Sequence, residues 1–569
     1  MIDPSGDLAL SDPTADSHET PRPQDKPKPP PLPLSQPDRR ATSARLRTGA
    51  MFLIPMVLLF LLYLRVAATA ALNSDGANNV LQAWDILHGH VLLPGWVIGD
   101  ATYYTFELPI YALTELMVGV SPEVVRLGDT IVYFLVASAA ALLACRGDRG
   151  QVLSKRTIAV RCGIVVSFMT VPLAVSTIQV MLNSPDHIGT CAILLGAIFL
   201  AGAAGQGGQR RSKYLPIWLG VVLTLGQLGD ATVLYVGTVP ILLISCYRIC
   251  EQRRIFAADG AIALAAGLSY FAAPLIRTIS RDLGGYTMIP PLTKLAPMSQ
   301  WPGNALITLH NLGAIFGITP APSQAVPHSA AMLSMALGWL AALGTVIGFA
   351  LVVRRWRTAG RGAQVLCLAI LVDIGSYTVS LLPNPSNARE VVFVLPAGSV
   401  LAAWACRDRL ASRVFTRRWA TALIAVVLVA TAFVPLAQTA ARPVATSRDI
   451  VLSQWLKAHD LKYGIAGYWD SSSISVNSGN AVQVRAVWLY RGRFLAYDWE
   501  SKADWFDPAL NNAQFFITDP INLVNEITPT EVEAVYGQPV AEYTVAERVI
   551  LVYRANLLTK VEPLLPGAG

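Results

Sequence analysis

The sequence has few charged residues for its length. Only 14% of the 569 residues are Asp, Glu, Lys or Arg, against about 25% in an ordinary soluble domain. This composition, with 53% hydrophobic residues, excludes a wholly soluble protein and indicates an integral membrane protein. The net charge of +7 does not indicate nucleic-acid binding, because the basic residues cluster between apolar segments and form no single stripe.

Cysteine is scarce as well, and all seven cysteines lie in or beside apolar segments. A disulfide framework in the long polar regions is therefore not expected. Cys246 and Cys250 have helical i, i+4 spacing, but no His or Cys accompanies them to complete a zinc site. The sequence also lacks a Walker-type or G-x-G-x-x-G loop, so nothing in it supports nucleotide chemistry.

Long apolar runs are abundant. A helix of about 20 residues crosses the hydrocarbon core of a membrane, and eleven segments are predicted to do so. They are 51–72, 121–145, 157–180, 186–204, 213–229, 231–248, 257–279, 329–353, 362–382, 390–406 and 417–438. The first is too long, and too far from the start, for a cleaved signal peptide, so we expect a permanent anchor.

The loops between these segments alternate in charge, and every second loop is rich in Lys and Arg. Since such residues accumulate in cytoplasmic loops, the pattern predicts a cytosolic N terminus. Eleven crossings then place the C terminus outside. The same rule places the loop at 73–120 on the outer face.

Three domains are predicted. Residues 1–50 are rich in Pro, Asp and Lys and indicate a disordered cytosolic tail. Residues 51–440 form the transmembrane domain, which includes the long outer loop at 73–120. Residues 441–569 alternate short strand and helix patterns and predict a small α/β domain outside the membrane, large enough to fold alone.

The first outer loop places acids at the membrane surface. In the stretch ALNSDGANN, Asp75 directly follows the first apolar run and precedes an amphipathic helix that we expect to lie in the membrane interface. Glu107 begins the next apolar helix. Both acids also fit structural roles, Asp75 as a helix N-cap and Glu107 as a partner of the helix dipole. Asp85 and His88 have metal-ligand spacing, but the polar face of the helix explains them more simply.

The order of these motifs resembles a known family. An acid after the first helix, an interfacial helix, LLPGW and ELPIY are similar to the polyprenyl-phosphate-sugar glycosyltransferases of the GT-C superfamily, such as protein mannosyltransferases and lipid A aminoarabinose transferases. NSPDHIGTC and NAREVVFVLPAG are similar to a later outer turn and a late helix of that family. The resemblance spans about residues 50–406. Glu107 and the acid of QLGDATV stand where the family has basic residues, and Glu390 stands where it has tyrosine.

The resemblance implies a helical, polytopic, GT-C-like fold in the bacterial cytoplasmic (inner) membrane. It implies transfer of a sugar from a polyprenyl-phosphate donor to a glycan, lipid or protein acceptor of the cell envelope, with membrane lipid as a further partner and no nucleic acid. Asp75 and Glu107 are the expected catalytic acids and the expected ligands of a divalent metal ion. The expected substrate-binding residues are Asp186, Arg389, Asp230 and Tyr104.

Several of these residues have simpler interpretations. Arg389 either holds the donor phosphate or pairs only with Glu390. Asp186 and His187 also fit helix caps. In GYWDSSS, Tyr468 and Trp469 suit stacking on sugars but are better explained as strand core, with the following aspartate capping a helix.

Two other function classes remain open: a transporter or flippase of a lipid-linked or small substrate, and a non-catalytic scaffold with this fold. The sequence shows no internal repeat and no paired broken helices, and its acids gather at the outer mouth of the helices. Transport sites usually lie at the membrane midplane. These features favour an enzyme.

Overall fold

The structure is a computed structural model that describes residues 54–146, 153–175, 178–185, 187–204, 214–253, 258–291, 294–319, 328–406, 418–520 and 527–563. The predicted tail at 1–50 lies outside these residues, and so does Asp186.

Helices dominate the part of the chain before residue 441, and each of the eleven predicted segments contains one. In chain order the helices are α1 (Ile54–Ala67), α2 (Ser74–Leu87), α3 (Glu107–Val118), α4 (Pro122–Ala144), α5 (Lys155–Val175), α6 (Ile178–Leu182), α7 (Ile188–Ala204), α8 (Leu215–Gly229), α9 (Val239–Gln252), α10 (Ala258–Asp282), α11 (Trp301–Ile315), α12 (His328–Arg354), α13 (Arg361–Val379), α14 (Val394–Ala405) and α15 (Arg418–Ala440). A π-helical turn, Val233–Thr238, leads into α9.

Among the described residues, seven helices are long and apolar enough to cross a membrane, and α1, α7 and α8 are shorter apolar helices. The protein is therefore a multi-pass membrane protein. The count of eleven crossings and the orientation of the termini stay predictions.

The helix α14 lies at the centre of the apolar core. Its residues from Val394 to Ala403 are all buried, and α4, α5, α12 and α13 pack against it. The approach of α12 is close, because a side chain at Gly348 would collide with the backbone of Leu401. The packing fixes the N-terminal end of α14, and the predicted substrate-binding residue Arg389 lies in the turn just before it.

The described residues also form short strands, most of them after residue 441. They are β1 (Trp96–Ile98), β2 (Thr287–Met288), β3 (Tyr463–Ala466), β4 (Gln483–Tyr490), β5 (Arg493–Ala496), β6 (Ser501–Lys502), β7 (Phe515–Thr518), β8 (Ala541–Val545), β9 (Arg548–Val552) and β10 (Val561–Glu562). Helices α16 (Arg448–Ala458), α17 (Ser472–Asn477) and α18 (Pro529–Tyr536) alternate with the later strands. The strand and helix patterns predicted after residue 441 are thus found in the structure.

Seven of these strands form one sheet in the order β10-β5-β4-β3-β7-β9-β8. The central strand β3 runs parallel to β4 and β7, whereas β9 runs antiparallel to β7. Ile465 and Phe516 contribute to one buried apolar cluster, and Ala466, Phe515 and Ile517 contribute to another. The two clusters fit the period-2 alternation of side chains along strands.

A second, three-stranded sheet joins distant parts of the chain. Strand β1 of the first outer loop pairs in parallel with β2 and antiparallel with β6, with Trp96 opposite Lys502. Behind it, the buried carboxylate of Asp85 accepts a hydrogen bond from Trp96 Nε1 at 2.8 Å and lies 3.1 Å from Lys502 Nζ. His90 Nδ1 lies 2.7 Å from the same carboxylate. The acid at Asp85 therefore fastens the C-terminal part of the chain to the outer loop.

The position of α2 in the membrane interface stays a prediction, but the helix is covered by protein. Most of its residues are buried, because α3 and α17 pack against it. Asp75, Asn78, Gln82 and Asp85 recur at helical spacing and form a polar stripe on α2. Asp75, Asn78 and Asp85 of this stripe contact side chains of the C-terminal part. The polar side of α2 thus meets protein and not water.

We predict that Asp85→Asn weakens this attachment. The amide can still accept the bond from Trp96, but Lys502, whose side chain is only 12% exposed, loses the nearer and buried of its two carboxylate partners. Breaking a buried ion pair costs about 3–5 kcal/mol, so the thermal unfolding temperature of the purified protein should fall. Asp504→Asn is the control, since this acid lies 3.9 Å from the same lysine but is 65% exposed. Equal unfolding temperatures for the two variants would contradict the role of Asp85 in attaching the C-terminal part.

Candidate functional site

Asp75 lies in the first turn of α2, but it is not the cap of that helix. Asn73 is the N-cap, and its Oδ1 accepts a hydrogen bond from the backbone N of Gly76 at 2.8 Å. The interpretation of Asp75 as a capping residue is therefore wrong. Its carboxylate remains 22% exposed, so the acid is placed for contacts outside the helix.

The hydroxyl of Tyr468 donates a hydrogen bond to Asp75 Oδ1 at 2.5 Å. It also accepts one from Asn78 Nδ2 at 3.2 Å, while Ser74 Oγ donates to the Tyr468 carbonyl at 2.7 Å. Burial and the nearby Asp75 carboxylate raise the pKa of Tyr468 well above its ordinary value. The hydroxyl therefore stays protonated and donates a hydrogen bond to the Asp75 carboxylate.

The sequence-based interpretation of GYWD was wrong. Tyr468–Asp470 form a single 3-10 turn between β3 and α17 and not a strand, and Trp469 is exposed. Asp470 does not cap the next helix but accepts a hydrogen bond from Arg548 Nε at 2.6 Å and lies 3.0 Å from Arg448 Nη2. This ionic anchoring positions the turn that carries Tyr468.

Arg389 lies on the other side of Asp75, in the 3-10 turn Ala388–Val391 before α14. Its Nη1 is 3.8 Å from Asp75 Oδ2 and its Nε is 3.8 Å from Glu390 Oε1. The pairing with Glu390 is thus real but is not the only ionic contact of Arg389. The arginine side chain remains 36% exposed.

The charges continue behind Arg389 in alternating sign. Glu390 Oε1 lies 3.8 Å from His187 Nε2, and His187 Nδ1 lies 2.6 Å from Asp230 Oδ2. We call Asp75, Arg389, Glu390, His187 and Asp230 the charge chain. His187 has a left-handed backbone with φ of 63°, so it is a strained, ion-paired residue and not a simple cap.

Asp230 anchors the inner end of the charge chain. It accepts hydrogen bonds from Thr190 Oγ1 at 2.6 Å and from the backbone N of Thr232 at 2.8 Å. Burial alone would raise the pKa of Asp230, but His187 and these donors outweigh it and lower the pKa to about 2. Burial alone would lower the pKa of His187, but Asp230 and Glu390 raise it well above its ordinary value. Both residues are therefore charged at neutral pH.

Glu107 is buried at the start of α3, close to the inner end of the charge chain. Its Oε1 makes no hydrogen bond, and a side chain at Gly189 would collide with it. Burial raises the pKa of Glu107 to about 8, and the negative charge of Asp230 adds to the rise. At neutral pH this side chain is mainly a neutral carboxylic acid, which makes it a poor metal ligand.

The structure therefore gives no direct support to a metal ion shared by Asp75 and Glu107. Within the described residues, no group of three His, Cys, Asp or Glu side chains is arranged to hold a metal. The Asp75 carboxylate contacts the Tyr468 hydroxyl and the Arg389 guanidinium, and neither group is a typical companion ligand of a divalent cation.

Asp100 is a site residue that sequence reasoning missed. Burial raises its pKa, and His187, Glu390, Asp230 and Arg389 act on it electrostatically. Its neighbour Ala101 forms a β-bridge with Asp230, which brings the loop after β1 to the charge chain. The only sequence signal was an acid in the predicted loop 73–120, between LLPGW and Tyr103.

Within the described residues, no hydrogen bond or ring contact given for Tyr104 joins it to the charge chain. Its hydroxyl donates to the Val91 carbonyl at 2.6 Å, and its ring centroid lies 5.5 Å from that of Tyr286. The expectation that Tyr104 binds substrate stays a prediction, and Asp186 lies outside the described residues.

No protein-family model and no curated protein sequence matches the chain. Among solved structures, it is similar to ArnT from Cupriavidus metallidurans in the apo state, with a TM-score of 0.55 and 11% identity over 91% of this chain and 100% of that one. It is also similar to the same ArnT bound to undecaprenyl phosphate, with a TM-score of 0.53 and 11% identity over 90% and 100%. The chain has the GT-C fold.

A third GT-C structure, the Archaeoglobus fulgidus oligosaccharyltransferase in complex with Zn and sulfate, is more distant. Its TM-score is 0.48 at 14% identity, over 82% of this chain and 68% of that one. The GT-C fold confirms the fold expected from the sequence motifs, including a membrane domain followed by a strand-rich C-terminal part.

We predict that Asp230→Asn destabilises the protein in a pH-dependent way. The low pKa of Asp230 contributes stability above its ordinary value of 3.8, and that stability is lost as the pH falls through about 2. The raised pKa of His187 contributes stability below its ordinary value of 6.5, and that stability is lost as the pH rises through the raised value. The loss on substitution, about 3–5 kcal/mol for a broken buried pair, should therefore be largest between those ordinary values.

Thermal unfolding of both proteins across that pH range measures this loss. Glu107→Gln is the control, because Glu107 already carries a proton below its pKa of about 8. The Glu107→Gln substitution should therefore change the thermal unfolding temperature little at pH 5–7. A loss for Asp230→Asn that does not change with pH would refute the ionic pair.

Proposed function

We propose that the protein is a membrane glycosyltransferase that transfers a sugar from a polyprenyl-phosphate donor to an acceptor at the outer face of the cytoplasmic membrane. The observation that carries the proposal is the partly exposed Asp75 carboxylate, held between the Tyr468 hydroxyl and the Arg389 guanidinium. The solved ArnT of the same fold is bound to undecaprenyl phosphate, which supports a donor of this lipid class.

Asp75 acts as the general base. As the acceptor hydroxyl oxygen bonds to the anomeric carbon of the sugar, its proton passes to Asp75, and the bond from that carbon to the phosphate oxygen breaks. Tyr468 donates to Oδ1, so Oδ2 is the oxygen that takes the proton. The electron pair of the broken bond stays on the lipid phosphate, which leaves as an anion.

Arg389 stabilises that anion. Its guanidinium is adjacent to Asp75 Oδ2, at 3.8 Å, and is 36% exposed, so a phosphate that reaches the carboxylate also reaches a cation. Charge-assisted bonds from arginine to phosphate are strong and have two-pronged geometry. Glu390, His187 and Asp230 hold the arginine from behind and fix its position. The acceptor, whether glycan, lipid or protein, approaches from the side of Asp75.

No catalytic step is assigned to a metal ion. Positive charge at the leaving phosphate comes from Arg389, which lies beside Asp75. Glu107 is neutral at the pH of the reaction and does not act as a second carboxylate.

We predict that Asp75→Asn abolishes most activity and leaves the fold intact. The amide keeps the size of the side chain, and Asn73 caps α2 without its help. General-base assistance contributes about 10²–10⁴-fold, so sugar transfer from a polyprenyl-phosphate donor should fall by that factor at an unchanged unfolding temperature. Asp282→Asn, a change at an exposed acid at the end of α10, should retain full transfer. Full activity in Asp75→Asn would exclude it as the base.

The protein should lie with its N terminus in the cytosol and its C-terminal part outside, as the basic loops predict. We predict that a cysteine replacing the exposed Ala509 reacts with an impermeant thiol reagent in intact cells. A cysteine replacing the exposed Arg357 should react only after lysis. Both cysteine variants are made in a protein whose exposed Cys246 and Cys250 have been replaced. Labelling of Arg357→Cys in intact cells would contradict this orientation.

A further inference from the structure

Two of the cysteines lie side by side where α4 ends. Cys145 is the C-cap of α4, and Cys162 lies about two turns into α5. Their Sγ atoms are 3.1 Å apart, and both side chains are half-buried. We call Cys145 and Cys162 the thiol pair. It takes no part in the charge chain, and no sequence motif connects its two members, which are 17 positions apart.

Hydrogen bonds hold the end of α4 beside α5. The Cys145 thiol donates to the Ile158 carbonyl of α5 at 3.6 Å, one turn before the second cysteine. The carbonyl of Ala144 accepts one hydrogen bond from Arg161 Nη1 of α5 and one from Trp404 Nε1 of α14, both at 3.1 Å. The thiol pair therefore lies at a junction of three helices, and the other contacts of that junction keep its two sulfurs close together.

Basic residues flank the thiol pair in the sequence. Arg146 directly follows the first cysteine, and Lys155, Arg156 and Arg161 precede the second. Charged side chains are costly within the hydrocarbon core, so their positions place the pair near the membrane surface, within reach of small water-soluble molecules. In the predicted orientation this surface faces the cytosol, where disulfides are usually transient and serve in catalysis or redox sensing.

The distance between the two sulfurs suits a covalent bond between them. A disulfide has an S–S length of about 2.05 Å, so the two atoms need to approach by about 1 Å, a displacement that rotation about the side-chain bonds can supply. Two thiols are too few for a structural zinc site, which takes four ligands. Within the described residues, no group of three His, Cys, Asp or Glu side chains is arranged to hold a metal. The thiol pair therefore favours redox chemistry over metal binding.

Cys246 and Cys250 provide a comparison within the same chain. Both are exposed, and they lie one turn apart on α9. Residues at this spacing have Cβ atoms about 5–6 Å apart, whereas the Cβ atoms of a disulfide are about 3.5–4.5 Å apart. Exposure alone would favour oxidation of Cys246 and Cys250, but the helix keeps their sulfurs from joining.

We propose that the thiol pair is a reversible oxidation site, at which a peroxide converts the two thiols into a disulfide. One thiolate attacks a peroxide oxygen, so that a sulfur–oxygen bond forms, the oxygen–oxygen bond breaks and the released oxygen leaves as water. The other thiolate attacks the sulfur of the resulting sulfenic acid, which forms the S–S bond and releases the second oxygen as water. The two sulfurs together give two electrons to the peroxide, and both thiol protons leave in the waters.

The reverse reaction needs only a dithiol, which reduces the disulfide by thiol–disulfide exchange. The new bond would join α4 to α5 beside Trp404, at the opposite end of α14 from Arg389. The proposal therefore does not depend on the proposed function, and a failure of one leaves the other standing.

Peptide mapping of the full-length protein in detergent tests the proposal without any sugar donor or acceptor. The reduced protein is treated with hydrogen peroxide, its remaining thiols are alkylated, and its peptides are identified by mass spectrometry without reduction. Cys145→Ser and Cys162→Ser each remove one sulfur of the thiol pair. The matched control is Cys246→Ser, which removes one of the two exposed sulfurs on α9. A parallel reaction contains dimedone, which traps sulfenic acids.

We expect the wild type and Cys246→Ser to lose both thiols of the pair to a disulfide between Cys145 and Cys162, and dithiothreitol to restore them. At least one of Cys145→Ser and Cys162→Ser should instead accumulate a dimedone adduct on the remaining thiol, because no partner is left to resolve its sulfenic acid. A thiol pair that stays reduced, a disulfide between other cysteines, or sulfinic acid in place of the disulfide would overturn the proposal. The wild-type map decides the question even where a variant fails to fold.

Discussion

The hydrogen bond from Tyr468 to Asp75 joins two parts of the chain that differ in kind. Asp75 follows the first apolar helix, where a carboxylate without partners would be costly, and Tyr468 belongs to the strand-rich C-terminal part. The bond fixes one carboxylate oxygen, and Arg389 faces the other. Beyond Arg389, the side chains of Glu390, His187 and Asp230 follow in that order, and each lies next to a side chain of opposite charge. The position of the acid therefore depends on both the membrane helices and the outer part.

Much of the fold could be predicted from local sequence. Apolar runs of about 20 residues and alternating strand patterns depend on neighbouring residues, so a helix was found in each of the eleven apolar segments and the strands β3, β4, β7 and β9 were predicted close to where they lie. The helix α11 (Trp301–Ile315) was not predicted. Asp75 and Arg389 were identified through short motifs similar to those of the GT-C superfamily. The structure brings the two within 3.8 Å, although they are far apart in sequence.

What the sequence could not reveal depends on long-range contacts. Tyr468 is 393 residues from Asp75, and no period or motif connects them. His187 and Asp230 looked like helix-end residues until the tertiary fold placed them 2.6 Å apart. The amphipathic pattern of α2 correctly indicated two faces. It could not show that the polar face is covered by protein, because periodicity does not distinguish water from a polar protein surface.

The long separation along the chain has a consequence for biosynthesis. α2 emerges from the ribosome hundreds of residues before Tyr468 and Lys502, which contact it across 393 and 417 positions. Contacts of such high sequence separation form late. Until the C-terminal part of the chain has been made, the polar stripe of α2 lacks its contacts to Tyr468 and Lys502, and the Asp75 carboxylate lacks the hydrogen bond that orients its Oδ1. The carboxylate proposed as the base is thus oriented only after Tyr468 has been made, and a chain interrupted earlier carries an unfinished site.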